Sequence, residues 1–142
     1  LGDLENEAEA AAQAAASSEE ALSAIVRCVL EALGTCTAAL RAFDDGETGL
    51  GERGRAVIRR RVKRIRVTME GVVAGGIASG SFRSVDPELA ALAILGAVRM
   101  TAANVPARRR AAAASGIVAM VLGGLRPVSL DHLSSPVKEA RS

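Results

Sequence analysis

The stretch from Pro87 to Leu125 constrains this chain more than any other, because it reads as two successive helices with apolar residues on more than one side. In the first, Leu89, Leu92, Ala93, Gly96, Met100 and Ala103 form one stripe, and Ala91, Ile94, Leu95, Val98, Ala102 and Val105 form another opposite it. In the second, Ile117, Val118, Val121, Leu122 and Leu125 make a broad apolar face. Ala112, Ser115, Gly116, Ala119 and Gly123 make a small-residue face that lets another backbone come near. A helix apolar all round must be covered all round. A chain of 142 residues with about five helices covers one side easily and rarely both. The expectation is a homodimer in which the last two helices of each protomer form a four-helix bundle. The interface candidates are Ile94, Leu95, Val98, Ala102, Ile117, Val121, Leu122 and Leu125.

The rest of the sequence agrees with helix. Ala, Val, Leu and Ile supply most of the apolar residues, Phe43 and Phe82 are the only aromatics, and no segment alternates apolar with polar residues. The fold class is therefore all-α, an antiparallel bundle of about five helices. Ser17 and Glu20 have capping-box spacing and open a helix with Leu22, Ile25, Val26, Val29, Leu30, Leu33, Cys36, Thr37, Leu40 and Phe43 on one face. Arg27 and Glu31 are expected as an exposed pair opposite. Asp44-Asp45-Gly46 ends this helix, and a flexible loop follows from Gly46 to Gly54. A third helix runs from about Arg55 to Ser79, its inner stripe being Ile58, Val62, Ile65, Met69, Val72, Val73 and Gly76, with Gly80 closing it. Asp86 caps the next helix, with Pro87 in its first turn.

These features favour binding over catalysis. His132 is the only histidine and no Tyr is present, so acid–base or nucleophilic machinery is not visible, and no enzyme activity, cofactor or metal is expected. Cys28 and Cys36 stand about 12 Å apart along one helix at roughly 1.5 Å per residue, too far to bridge. They read as reduced thiols, consistent with a cytoplasmic protein. The start is acidic and Ala-rich, unlike a signal peptide, and the charge-free run Ala111–Leu125 is too short to span a bilayer, so no membrane partner is expected.

From Glu52 to Arg66 there are eight basic residues against one acid. Without aromatic interleaving the run reads first as a solvated face, with an anionic partner or ligand tail second and nucleic acid third. The glycines at 71, 75, 76 and 80 read as close helix packing and a cap, since no phosphate-loop Lys-Ser/Thr follows. Arg99, on an otherwise apolar helix, has a structural reading and a ligand-contact reading.

The segment Glu70-Gly71-Val72-Val73-Ala74-Gly75-Gly76-Ile77-Ala78-Ser79-Gly80-Ser81-Phe82-Arg83-Ser84-Val85-Asp86-Pro87 resembles the regulatory half of tetracycline-repressor family transcription factors. There a long helix ends in a Gly-x-Phe turn and an Asp-Pro opens the next, positions held here by Gly80, Phe82, Asp86 and Pro87. Gly124-Leu125 also resembles that family's last helix. The resemblance implies an effector-binding and dimerisation domain of a bacterial transcriptional regulator, its partners being a second copy and an unknown small-molecule effector. DNA would be reached only through an N-terminal helix-turn-helix that this chain does not contain. Residues 1–16 would be the remnant of the helix linking to it, 17–126 the ligand-binding and dimerisation domain, and 127–142 an irregular tail. The inward-facing pocket candidates are Val29, Leu33, Cys36, Thr37, Ile65, Met69, Val72, Leu92 and Arg99. The alternative is a stand-alone helical homodimeric interaction module without a ligand.

Overall fold

A computed structural model describes residues 3–36 and 51–128. Five α-helices account for most of them: α1 (Leu4–Ala14), α2 (Ser18–Thr35), α3 (Gly51–Ala78), α4 (Pro87–Asn104) and α5 (Arg110–Leu125). A single 3₁₀ turn, Ala107–Arg109, leads into α5, and no strand occurs among the described residues. The chain is all-helical, as its periodicities require. Asp44-Asp45-Gly46, Leu40, Phe43, His132 and nearly all of the expected tail lie outside the described residues.

Helix α2 is the hub and packs against each of the other four. Its Leu22, Ile25, Val26, Val29 and Leu30 are buried on the expected stripe. They meet Ala8 of α1, Ile65 and Met69 of α3, Ala91, Ile94 and Val98 of α4, and Ala114 and Ile117 of α5 in one core. The local start signal is used, with its return arm shifted one residue to Ala16. Ser17 Oγ accepts from the Glu20 N–H at 3.1 Å, while Glu20 Oε2 accepts from the Ala16 N–H, also at 3.1 Å.

Arg27 and Glu31 depart from expectation. Instead of serving each other on an open face, Arg27 donates to Ser115 Oγ at 3.4 Å and Glu31 pairs with Arg110 at 3.4 Å. The reason is tertiary: α5 lies along that side of α2. Arg110 also donates to the Gly34 carbonyl at 3.0 Å, placing a cation on the end of α2 where unsatisfied carbonyls collect. Gly34 allows this approach, because a Cβ there would strike the Arg110 guanidinium.

Helix α3 begins earlier than its expected start near Arg55, so residues 51–54 are helical and not loop. Gly51 enters with a φ of 59°, and the cost of about 1 kcal/mol for each glycine in a helix is outweighed by the residues around it. The other end follows the sequence signal. Gly80 has a φ of 80° and its N–H reaches the Ile77 carbonyl, while the Phe82 N–H reaches the Gly76 carbonyl at 3.0 Å. Phe82 folds back onto Gly76 and is buried, and a Cβ at Gly76 would collide with its ring.

Arg83, next in the chain, donates its backbone N–H to the Leu125 carbonyl at 2.7 Å and its Nε to the Gly124 carbonyl at 2.6 Å. The turn after α3 thus satisfies the carbonyl end of α5. Asp86 Oδ1 accepts from the Glu88 and Leu89 N–H groups at 2.9 and 3.3 Å, with Pro87 in the first turn of α4. Asp86→Ala is expected to lower stability by about 1 kcal/mol, seen as a shift in the urea midpoint without a change in slope.

The two stripes of α4 differ in burial within the protomer. Ile94, Val98 and Ala102 are buried inside the protomer, as are Ile117 and Leu125 of α5. Leu95, Val121 and Leu122 are half-buried against the same core. These eight positions already have intrachain neighbours, because α2 needs an apolar partner surface. The faces left open are Leu89, Ala93, Gly96 and Met100 on α4, and Ala112, Ser115, Gly116, Ala119, Met120 and Gly123 on α5.

Candidate functional site

A partly enclosed cavity of about 490 Å³ lies among α1, α2, α3 and α4. Helix α2 supplies Val29 and Leu33, with Cys36 at its end; α3 supplies Ile58, Val62 and Ile65; α4 supplies Leu92, Leu95 and Gly96. These apolar walls come from the flanks of the helices whose central stripes form the core. The cavity is framed by the second rows of residues that α2, α3 and α4 present beside their core stripes. Leu4 and Glu5 of α1 complete one side.

Six of the nine pocket candidates, Val29, Leu33, Cys36, Ile65, Leu92 and Arg99, line this one cavity. Met69 does not; it is fully buried in the core among the helices. Val72, half-buried against the core one turn farther along α3, does not line it either. Thr37 lies outside the described residues. Leu95, expected at the dimer interface, lines the cavity instead. Ile58 and Val62 were legible as members of the α3 stripe, and only their depth along it separates cavity from core. Leu4 and Glu5 carried no signal beyond the acidity of the N-terminal segment.

Among the described residues, the charged side chains lining the cavity are Arg59, Arg61, Lys63, Arg66, Arg99 and Glu5. The basic run is therefore not wholly a solvated face. Arg61 and Arg64 both reach Glu5 Oε1, at 3.9 and 3.5 Å, and Arg64 also reaches Glu9 at 3.8 Å, so the run ties α3 to α1. Arg66 pairs with Glu88 at 2.9 Å and with Glu70 at 3.6 Å, tying α3 to the start of α4. Glu5 is the least comfortable member: its side chain is 12% exposed, and its Oε2 is buried without a hydrogen-bond partner.

Burial raises the pKa of the Cys28 thiol, and the nearby Glu7 charge and hydrogen bond push it further in the same direction. A thiol held protonated in this way is a poor nucleophile. Among the described residues no group of three or more His, Cys, Asp or Glu side chains could hold a metal ion, and no helix is long and apolar enough to cross a membrane.

A second hollow, of about 370 Å³, opens between α4 and α5, with Leu89, Ala93, Met120 and Val121 among its walls and Arg83 and Asp86 at one end. It lies on the side of the two helices that carries the exposed apolar residues.

The fold and cavity define a class: an all-helical domain with an apolar chamber among its middle helices and two final helices whose outer faces are apolar. A family described as tetracyclin repressor-like, C-terminal domain, matches residues 15–103. The chain belongs to that family. The match spans the region from the α2 cap through the Gly80–Phe82 turn to the end of α4. No curated protein and no solved structure matches the chain significantly.

Proposed function

We propose that this chain is the effector-binding and dimerisation domain of a transcriptional regulator, with the cavity among α1–α4 as effector site and the outer faces of α4 and α5 as dimer interface. The observation that carries the first half is the cavity itself. Its volume falls in the range of small-molecule sites, and apolar walls from α2, α3 and α4 stand beside charged side chains. Helix α1 bears on the same space through Leu4 and Glu5. If α1 continues toward a DNA-reading head, occupancy of the cavity biases how α1 sits and thereby the affinity for an operator.

The second half rests on exposed apolar surface. Leu89 is 65% exposed, Met100 67% and Met120 73%, interleaved with small residues that permit close approach of another backbone. This outer set is proposed in place of the buried candidates Ile94, Val98, Ala102, Ile117 and Leu125. Two copies meeting here make an isologous contact between like surfaces.

The effector site is tested by filling it. A Leu33→Trp variant is expected to fold, since Leu33 is only half-buried, and to lose binding of compounds that the parent binds in a thermal-shift screen. The parent chain has no Trp, so the same variant reports cavity occupancy by its fluorescence. Retained ligand shifts of parental size in Leu33→Trp would place the effector elsewhere.

A further inference from the structure

Helix α2 stands between the cavity and α5. Val29 and Leu33 line the cavity, and Cys36 meets it where the helix ends. Arg27, Glu31 and Gly34 recur on the side of α2 about 150° round from Val29 and Leu33, at about 100° per residue. All three meet α5: Arg27 donates to Ser115 Oγ, and Arg110 reaches both Glu31 and the Gly34 carbonyl. Helix α5 itself supplies no residue to the described lining of the cavity. One helix, about 10 Å across with its side chains, therefore separates the chamber from α5.

We propose, building on the effector and interface readings, that α2 couples occupancy of the cavity to the dimer face of α5, with Arg110 as the positioning residue that makes α5 follow α2. The Arg110 side chain is 11% exposed, and its 3.0 Å bond to the Gly34 carbonyl is part-buried, so solvent weakens it less than an open surface contact. That carbonyl belongs to the last turn of α2, between the lining residues Leu33 and Cys36. The fit has little slack, because a Cβ at Gly34 would strike the guanidinium. At the start of α5, Arg109 makes no side-chain capping bond and the first turn holds no acid, so the anchor on α2 carries more of its placement.

A group that enters the cavity and presses on Leu33 moves the last turn of α2. Packed helices shift as units, and the start of α5 moves with its anchor. Gly116 and Met120 ride on the same helix, so its outer face departs from the arrangement in which two copies fit. By linkage, dimerisation lowers the affinity for an occupant by the same factor.

The test needs no effector, because Leu33→Trp puts a bulky side chain into the cavity of the 142-residue chain. Sedimentation equilibrium measures the dimer dissociation constant. Leu33→Trp is expected to raise it about fivefold or more, the lower end of typical couplings between sites. In an Arg110→Gln background the same filling is expected to change it by less than about twofold. Arg110→Lys keeps a cation for Glu31 and the Gly34 carbonyl and is expected to retain most of the response. Circular dichroism checks the fold of each variant. Gly34→Ala, whose methyl group displaces the guanidinium, takes the place of Arg110→Gln should that variant unfold.

A response to Leu33→Trp of equal size with and without Arg110, or none in the parent, overturns the coupling. The two readings beneath it fail on other measurements: ligand shifts retained in Leu33→Trp for the effector site, a dimer that survives Met120→Glu for the interface. A parent chain that stays monomeric at micromolar concentration overturns the interface and the coupling together.

Discussion

Phe82→Ala is expected to remove about 3–5 kcal/mol of stability, the range for truncating a buried Phe. A domain of this size has only about 5–15 kcal/mol in total, so the variant sits near the edge of folding at 37 °C. The size of the effect comes from where the ring lies. Phe82 is 3% exposed, its N–H closes the end of α3 on the Gly76 carbonyl, and Arg83 beside it holds the final carbonyls of α5. Losing the ring loosens three elements at once.

Gly76→Ala approaches the same contact from the other side. Alanine normally favours a helix over glycine by about 1 kcal/mol, yet here its Cβ meets the ring and the net effect is expected to be a loss of about 1–3 kcal/mol. The two changes are therefore coupled. Gly76→Ala combined with Phe82→Ala should cost less than the sum of the single variants, because the methyl group occupies space the ring has left. Urea unfolding of the four proteins measures this. Strict additivity within about 0.5 kcal/mol would show that the ring and the glycine are not in contact.

The second large effect concerns association. Met120→Glu is expected to weaken the dimer by about 3 kcal/mol or more, roughly a hundredfold in the dissociation constant, since each interface then carries two desolvated like charges. The protomer itself should be untouched, with unchanged helicity, because Met120 is 73% exposed. Val98→Glu provides the contrast. Val98 is fully buried between α4 and the core, so the charge has no partner and the chain is expected to unfold. Analytical ultracentrifugation beside circular dichroism separates the two outcomes. A Met120→Glu protein that sediments as a dimer at micromolar concentration would refute the outer-face interface, and a folded monomeric Val98→Glu protein would restore the inner stripe.

The contrast between Met120 and Val98 marks the limit of reading this chain from its residues. Both helices could be seen to carry surplus apolar surface, but periodicity gives only the angle between stripes and not which one turns inward. The choice fell to α2, whose long apolar stripe needs Ile94, Val98 and Ile117 opposite it. The cavity shows the same division. Six residues of one chamber were legible because inward-facing positions on α2, α3 and α4 converge, while Met69 was not separable from them, since core and cavity lining share one sequence pattern.

Local signals behaved differently because their energetics are local. The Ser17–Glu20 box, the Gly80 turn with its positive φ and the Asp86-Pro87 start each satisfy backbone groups within a few residues. Their outcome depends little on what packs nearby, and they place three helix ends in the chain. Long-range partnerships had no such signature. Arg110 reaching Gly34, Arg83 closing α5 and Glu5 meeting Arg61 and Arg64 join residues from 41 to 76 positions apart, and charge–charge attraction is too unspecific to choose partners before the helices pack. Sequence alone determined the all-helical class and the three helix ends that carry local capping signals. Packing around α2 decided which faces stayed open, which cations gathered at the cavity, and which carboxylate was left among them half-satisfied.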